Sequence, residues 1–168
     1  REVLSELKLQ AEAYGALADL DWAKARMIPP DRYEGSIRIT RRRSALPPAR
    51  FADFAAAYER LKRRRGVVDF DDLLGACVAL LERAPGVREE LHRRWRHVLV
   101  DEFQDTNAVQ YAWLRLLAGK VSGVTAVGDD DQSIYGWRGA EVTNMLRFSE
   151  IYPEAETVRL EENYRSTG

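Results

Sequence analysis

One cysteine, two histidines and no apolar run approaching eighteen residues are what this 168-residue chain has least of. The lone Cys77 excludes an internal disulfide, and within LLGACVALL it reads as a small buried hydrophobe. His92 and His97 have no Cys or His neighbour at ligand spacing, so no zinc site is assigned to them. No stretch is long and apolar enough to read as a membrane span, and the opening REVLSELKLQ lacks the basic-then-apolar order of a signal peptide. A soluble, cytoplasmic protein is expected.

What is present is 45% hydrophobic content, enough for one or two compact units. The net charge of -1 hides an asymmetry: residues 1–98 hold 20 Lys+Arg against 15 Asp+Glu, residues 99–168 hold 6 against 12. The densest basic stretch, 36–65, carries ten basic residues including Arg41, Arg42 and Arg43. Two readings stand for it: a surface for a polyanion such as DNA, or the solvated ends of helices and a loop. Arg outnumbers Lys 22 to 4, consistent with a GC-rich bacterial source.

Apolar spacing in residues 2–26 predicts two helices meeting near Gly15, stopped by Pro29-Pro30. Residues 31–49 read as a long, exposed and mobile connection. Amphipathic helices follow over 49–64, ended by Gly66, and over 67–83, with Asp69 able to cap the second. Another runs from Pro85 to about Trp95. Beyond residue 96 the pattern changes. HVLVD (97–101), VTAVGD (124–129) and TVRL (157–160) read as short strands, with helices over 106–118 and 144–152 between them. Strands joined by helices imply crossovers and a parallel sheet buried on both faces, an α/β arrangement whose ligands gather beyond the carboxyl ends of the strands.

Two of these strands end in acids, HVLVD-EFQD and TAVGD-DDQ. A hard cation such as Mg²⁺ takes oxygen ligands, so Asp101 at a strand end suits the metal side of a bound nucleotide, while Glu102, facing the other way, suits a base that orients the attacking water. The bland alternative makes both turn and cap residues. Against it stands Phe103-Gln104-Asp105-Thr106-Asn107, a continuation that helix capping does not require.

DEFQDTN (101–107) resembles motif II of the UvrD/PcrA/Rep group of superfamily 1 DNA helicases, GDDDQSIYGWRGA (128–140) their motif III and LEENYRST (160–167) their motif IV. VDFDDLL (68–74) is similar to the segment preceding motif II, and WAKARMIPPDRY (22–33) to a helical insertion. The resemblance implies ATP and Mg²⁺ at a site between two RecA-like domains, with Asp101 on the metal side and Glu102 as catalytic base. It makes Gln132 the residue that approaches the γ-phosphate, and Arg165 the one that stabilises charge on the transferred phosphoryl group. Tyr135, Trp137 and Arg138 resemble residues lining a single-strand DNA track, where flat rings stack on any base and Arg meets phosphate. Asp130 and Asp131 are read as turn and capping residues.

The implied fold is part of a RecA-like P-loop NTPase domain with parallel strands, plus a mainly helical insertion subdomain. The implied division is 1–66 for the insertion, 67–160 for the later part of the first RecA-like domain and 161–168 for a stub of the second. No GxxxxGK[ST] phosphate loop occurs in the chain, so an internal fragment is expected, inactive alone as an ATPase, from a helicase that moves on single strands and unwinds duplex DNA in repair or replication. A nucleoid-associated location follows from that role. Rival readings are a recombination helicase-nuclease and a non-catalytic DNA-binding or docking module using 36–65.

Overall fold

The computed structural model describes residues 12–119, 123–136, 139–146 and 148–162. The roles expected of Trp137, Arg138 and Arg165 lie outside the described residues, as does the first of the two helices read in 2–26.

The alanine-rich stretch AYGALADLDWAKA forms α1 (Ala13–Ala25), which buries Ala16, Leu20, Trp22 and Ala23. Gly15 lies in the first turn of this helix, and the helix expected before it falls outside the described residues. A Cβ at Gly15 would sit 2.4 Å from the Cβ of Ala45, so the missing side chain admits the loop that crosses α1. That loop corrects an expectation. Residues 31–49 are no mobile connection: they hold a 3₁₀ turn (Pro30–Arg32), α2 (Tyr33–Ile39) and two buried anchors, Tyr33 and Leu46. The physical reason is Asp19, a carboxylate 1% exposed that accepts from the Ala45 N–H at 2.8 Å, the Ser44 hydroxyl at 2.9 Å and Arg42 at 3.2 Å. Pro48 starts α3 (Pro48–Arg65), whose Phe51 stacks on Tyr33 with ring centroids 3.7 Å apart while Phe54 and Ala57 complete the core.

α3 ends at Gly66 in the left-handed region, and α4 (Phe70–Arg83) begins after Asp69, as the sequence suggests. Asp69 and Asp72 exchange backbone N–H bonds at 2.9 Å, a capping box. Two lysines from the preceding helices reach the same carboxylates: Lys24 meets Asp69 at 2.6 Å, and Lys62 meets Asp72 at 2.6 Å and Glu59 at 2.8 Å. Burial alone would raise the Asp69 and Asp72 carboxyls, but hydrogen bonds from these ammoniums and from the backbone outweigh it and hold both below the usual range. Burial likewise opposes the charge on Lys24, yet its carboxylate partners hold it well above the ordinary value. Burial and the Asp69 charge push the Tyr58 hydroxyl up to about 12.

Cys77 is exposed, because α4 turns Val78 and Leu81 inward and leaves Cys77 on its outer side. α5 (Pro85–Arg94) follows, then β1 (His97–Val100), α6 (Ala108–Ala118) and β2 (Gly123–Ala126). β1 and β2 pair in parallel, His97 opposite Gly123 and Val100 opposite Ala126, so the expected crossover unit is present. The molecule is nevertheless mostly helical, and the described sheet has two strands. It is not buried on both faces: Leu99 is 79% exposed. TVRL (157–160) forms no strand. It has no ladder partner among the described residues, and Val158 and Leu160 are exposed. The 144–152 region holds the short helices α7 (Thr143–Leu146) and α8 (Phe148–Ile151) on either side of residue 147, which lies outside the described residues. Among the described residues no helix is long and apolar enough to cross a membrane.

Candidate functional site

The parallel register brings the ends of β1 and β2 side by side, and backbone bonds continue past the strands. Val127 N–H donates to Val100 at 2.8 Å, and Phe103 N–H donates back to the Val127 carbonyl at 2.9 Å. The two acid-bearing strand ends are thereby fixed as one edge. Asp101 and Glu102 are both exposed on it. Glu102 sits at φ 51°, ψ 44°, a left-handed conformation that costs a non-glycine residue on the order of 1 kcal/mol. It opens a 3₁₀ turn (Phe103–Asp105) that drives Phe103 and Gln104 into the interior.

Gln104 is 1% exposed, and its side chain spans the two strand ends. Its Nε2 donates to Glu102 Oε2 at 2.7 Å, and its Oε1 accepts from the Asp129 N–H at 3.0 Å. Asp129 then caps the 3₁₀ turn Asp130–Gln132: its Oδ1 accepts from the Asp131 N–H at 3.1 Å and its Oδ2 from Gln132 Nε2 at 2.5 Å. Glu102, Gln104, Asp129 and Gln132 therefore form one continuous hydrogen-bonded chain. Capping falls to Asp129, where the sequence reading gave it to Asp130 and Asp131, because only the residue before the turn faces its free N–H groups. Gly128 is required by the same geometry, since a Cβ there would stand 2.5 Å from Gln104 Oε1.

The rest of the 101–107 string does serve capping, contrary to expectation. Asn107 accepts from the Gln110 N–H at 3.0 Å and Gln110 Oε1 accepts from the Asn107 N–H at 3.0 Å, a second capping box, at the start of α6. Asn107 also bridges to Ala140, and Glu141 N–H donates to the Thr106 carbonyl at 3.0 Å. The end of the 128–140 stretch is thus docked on the end of the 101–107 stretch. Tyr135, between them, is 38% exposed.

The structure brings Asp101, Glu102 and Gln132 to one edge. Arg41 and Arg43 are exposed, whereas Arg42 pairs with Asp19 and lies over the Trp22 ring, 4.9 Å from its centroid. Lys62 of the KRRR run is also turned inward, onto Asp69 and Asp72. Glu59, Asp69 and Asp72 lie within 4.8 Å of one another, a spacing a metal could use, but Lys24 and Lys62 already supply the cations there. Asp101 is exposed at a strand end beside the glutamate, with no lysine against it among the described residues. Gln104 had no site role from the sequence, and Asp129 was read only as the acid that ends its strand. The signal for Gln104 is a glutamine two positions after the second acid of HVLVDEFQD.

The family described as UvrD/REP helicase N-terminal domain matches residues 8–153. The chain is 55% identical over 111 residues to DNA helicase II of Escherichia coli, covering 66% of this chain and 15% of that protein. It is 50% identical over 110 residues to the ATP-dependent DNA helicase PcrA of Staphylococcus epidermidis, covering 66% and 15%. The chain spans about 15% of the length of these curated relatives. Extending across the helices, both strands and both acid-bearing strand ends, the match makes this chain a member of the UvrD/REP helicase N-terminal domain family.

Proposed function

We propose that the edge formed by residues 101–104 and 128–132 is the hydrolytic half of an ATP site in a DNA helicase, within a full-length protein that carries this chain. The observation that supports this most is the hydrogen-bonded chain from Glu102 through Gln104 and Asp129 to Gln132, which ties a candidate base to a candidate phosphate sensor. Asp101 would hold Mg²⁺, which would supply positive charge against that of the phosphates. Glu102 orients and deprotonates the attacking water, its carboxylate exposed and its Oε2 fixed by Gln104. Gln132 reports the γ-phosphate to the segment running through Tyr135, and Trp137, Arg138 and Arg165 keep the roles that the family resemblance implies.

In this reading the parallel pair β1 and β2 belongs to a RecA-like domain of the P-loop NTPase class, 67–160. Residues 1–66 form the helical insertion and 161–168 begin a second domain. The insertion is supported by a core built wholly from residues 13–61. The substrate is DNA, single-stranded along the track at 135–138 and duplex near Arg41 and Arg43. Arg42 serves the fold through Asp19. A cytoplasmic, nucleoid-associated protein of DNA repair or replication fits this role. Since the chain contains no GxxxxGK[ST] loop, hydrolysis is assigned to the full-length protein. The test is strand separation of a duplex carrying a single-stranded tail. ATP-dependent unwinding is expected, while DNA binding with no ATP-dependent separation would favour a docking module.

A further inference from the structure

A buried glutamine with both ends of its amide engaged joins the two strand ends of this site. Gln104 is 1% exposed, so its amide is out of reach of water, and its two hydrogen bonds run to different strand ends. One goes to Glu102 Oε2, the carboxylate that must aim at water; the other goes to the N–H of Asp129, the residue that caps the turn carrying Gln132. A side-chain amide is suited to both tasks because it donates through nitrogen and accepts through oxygen at once. The left-handed backbone of Glu102 makes the point sharper. Such a residue holds its side chain in place only when its surroundings over-determine it, and the Gln104 donor at 2.7 Å is a direct constraint on the carboxylate. Gly128 bears on the same amide, since a Cβ there would stand 2.5 Å from Gln104 Oε1 and press on it.

Resting on the reading of Glu102 as the base, we infer that Gln104 is a positioning residue for ATP hydrolysis. It fixes the Glu102 carboxylate and couples it to the 129–132 turn, so that the base and the phosphate sensor move as one unit. Removing it leaves nucleotide binding intact, because neither of its partners in the structure is needed to hold the triphosphate. It loosens the aim of the base, and a misplacement of about 1 Å can cost on the order of 100-fold in rate.

The experiment is a kinetic double-mutant cycle in the full-length protein, with DNA-stimulated ATPase read as kcat and KM for ATP and folding checked by thermal melting. Gln104→Ala should lower kcat by about tenfold or more with KM within about threefold, the split expected when only transition-state alignment is lost. Gln104→Glu keeps the acceptor for Asp129 but replaces the donor to Glu102 with a second carboxylate, and should fall as far. Gly128→Ala should lower kcat by itself yet cost less than about twofold more in the Gln104→Ala background, since residues acting through one contact are not additive. Gln104→Ala with kcat within about twofold of wild type overturns the inference, as does a Gly128→Ala effect that multiplies in full, which would mark independent sites. A wild-type protein without DNA-stimulated ATPase is a different result: it removes the underlying reading of Glu102, and the positioning role with it.

Discussion

Asp19 shows how much one buried charge can organise. Three donors converge on its carboxylate, one from the backbone of Ala45, one from Ser44 and one from Arg42, and together they draw a polar stretch across α1. Removing the acceptor strands those donors, and a buried donor without a partner costs about 1–3 kcal/mol. Asp19→Ala is therefore expected to destabilise the fold by about 2–4 kcal/mol, read as a lowered midpoint in thermal unfolding. An unchanged midpoint would mean that the 41–46 loop is held by Leu46 and Tyr33 alone. The same residue explains why this region was misread from sequence. Asp19 and Ala45 are 26 positions apart, so nothing in the local pattern of 31–49 announces the contact. Gly15 has a distant partner of the same kind: its missing Cβ answers to Ala45, which no local pattern announces.

At the scale of elements, the start of α4 is stapled to α1 and α3 by Lys24, Lys62, Glu59, Asp69 and Asp72. Asp69 and Asp72 titrate below their ordinary value of 3.8 in the folded state. Above that value both states are ionised and the stabilisation is complete; as pH falls through it the unfolded chain takes up protons first, and the stabilisation drains away. Lys24, held above 10.5, behaves in the opposite sense: its contribution is whole below that pH and is lost only as pH rises beyond it. Asp21 and Asp71, raised chiefly by burial and by neighbouring carboxylates, work in the opposite direction. Denaturation midpoints should therefore stay level through neutral pH and fall below about pH 4, and Asp69→Asn should lower the plateau and flatten that acid slope. A slope unchanged in Asp69→Asn would place the acid-labile contact elsewhere. Here the sequence was legible. Asp69 as a cap, α3 ending at Gly66 and the strand-helix-strand order over 97–126 all follow from local pattern, because capping and amphipathic spacing act within a few residues. TVRL was not legible, since a strand is made by its neighbour and Val158 and Leu160 have none among the described residues. Cys77 failed for a related reason: hydropathy identifies a helix face only when it is known which side packs, and α4 packs on Val78 and Leu81.

Across the whole molecule, the helices from α1 to α5 precede one edge where β1 and β2 end together, and the acids of both strand ends collect there. The acids that mark this edge were visible in HVLVDEFQD and TAVGDDDQ, and the family match runs through both. What the sequence hid was the wiring between them, because Gln104 makes its contact with Asp129 across 25 positions. The edge is compatible with one division of labour in the full-length protein: Asp101 toward the metal, Glu102 toward water and Gln132 toward phosphate. The most direct test is Glu102→Gln in that protein, comparing ATP affinity with the rate of DNA-stimulated hydrolysis. The substitution keeps the shape of the side chain and removes its basicity, so ATP affinity should stay within about threefold while hydrolysis falls by a factor of 100 or more. Hydrolysis that continues at the wild-type rate would contradict the assignment of Glu102 as the base.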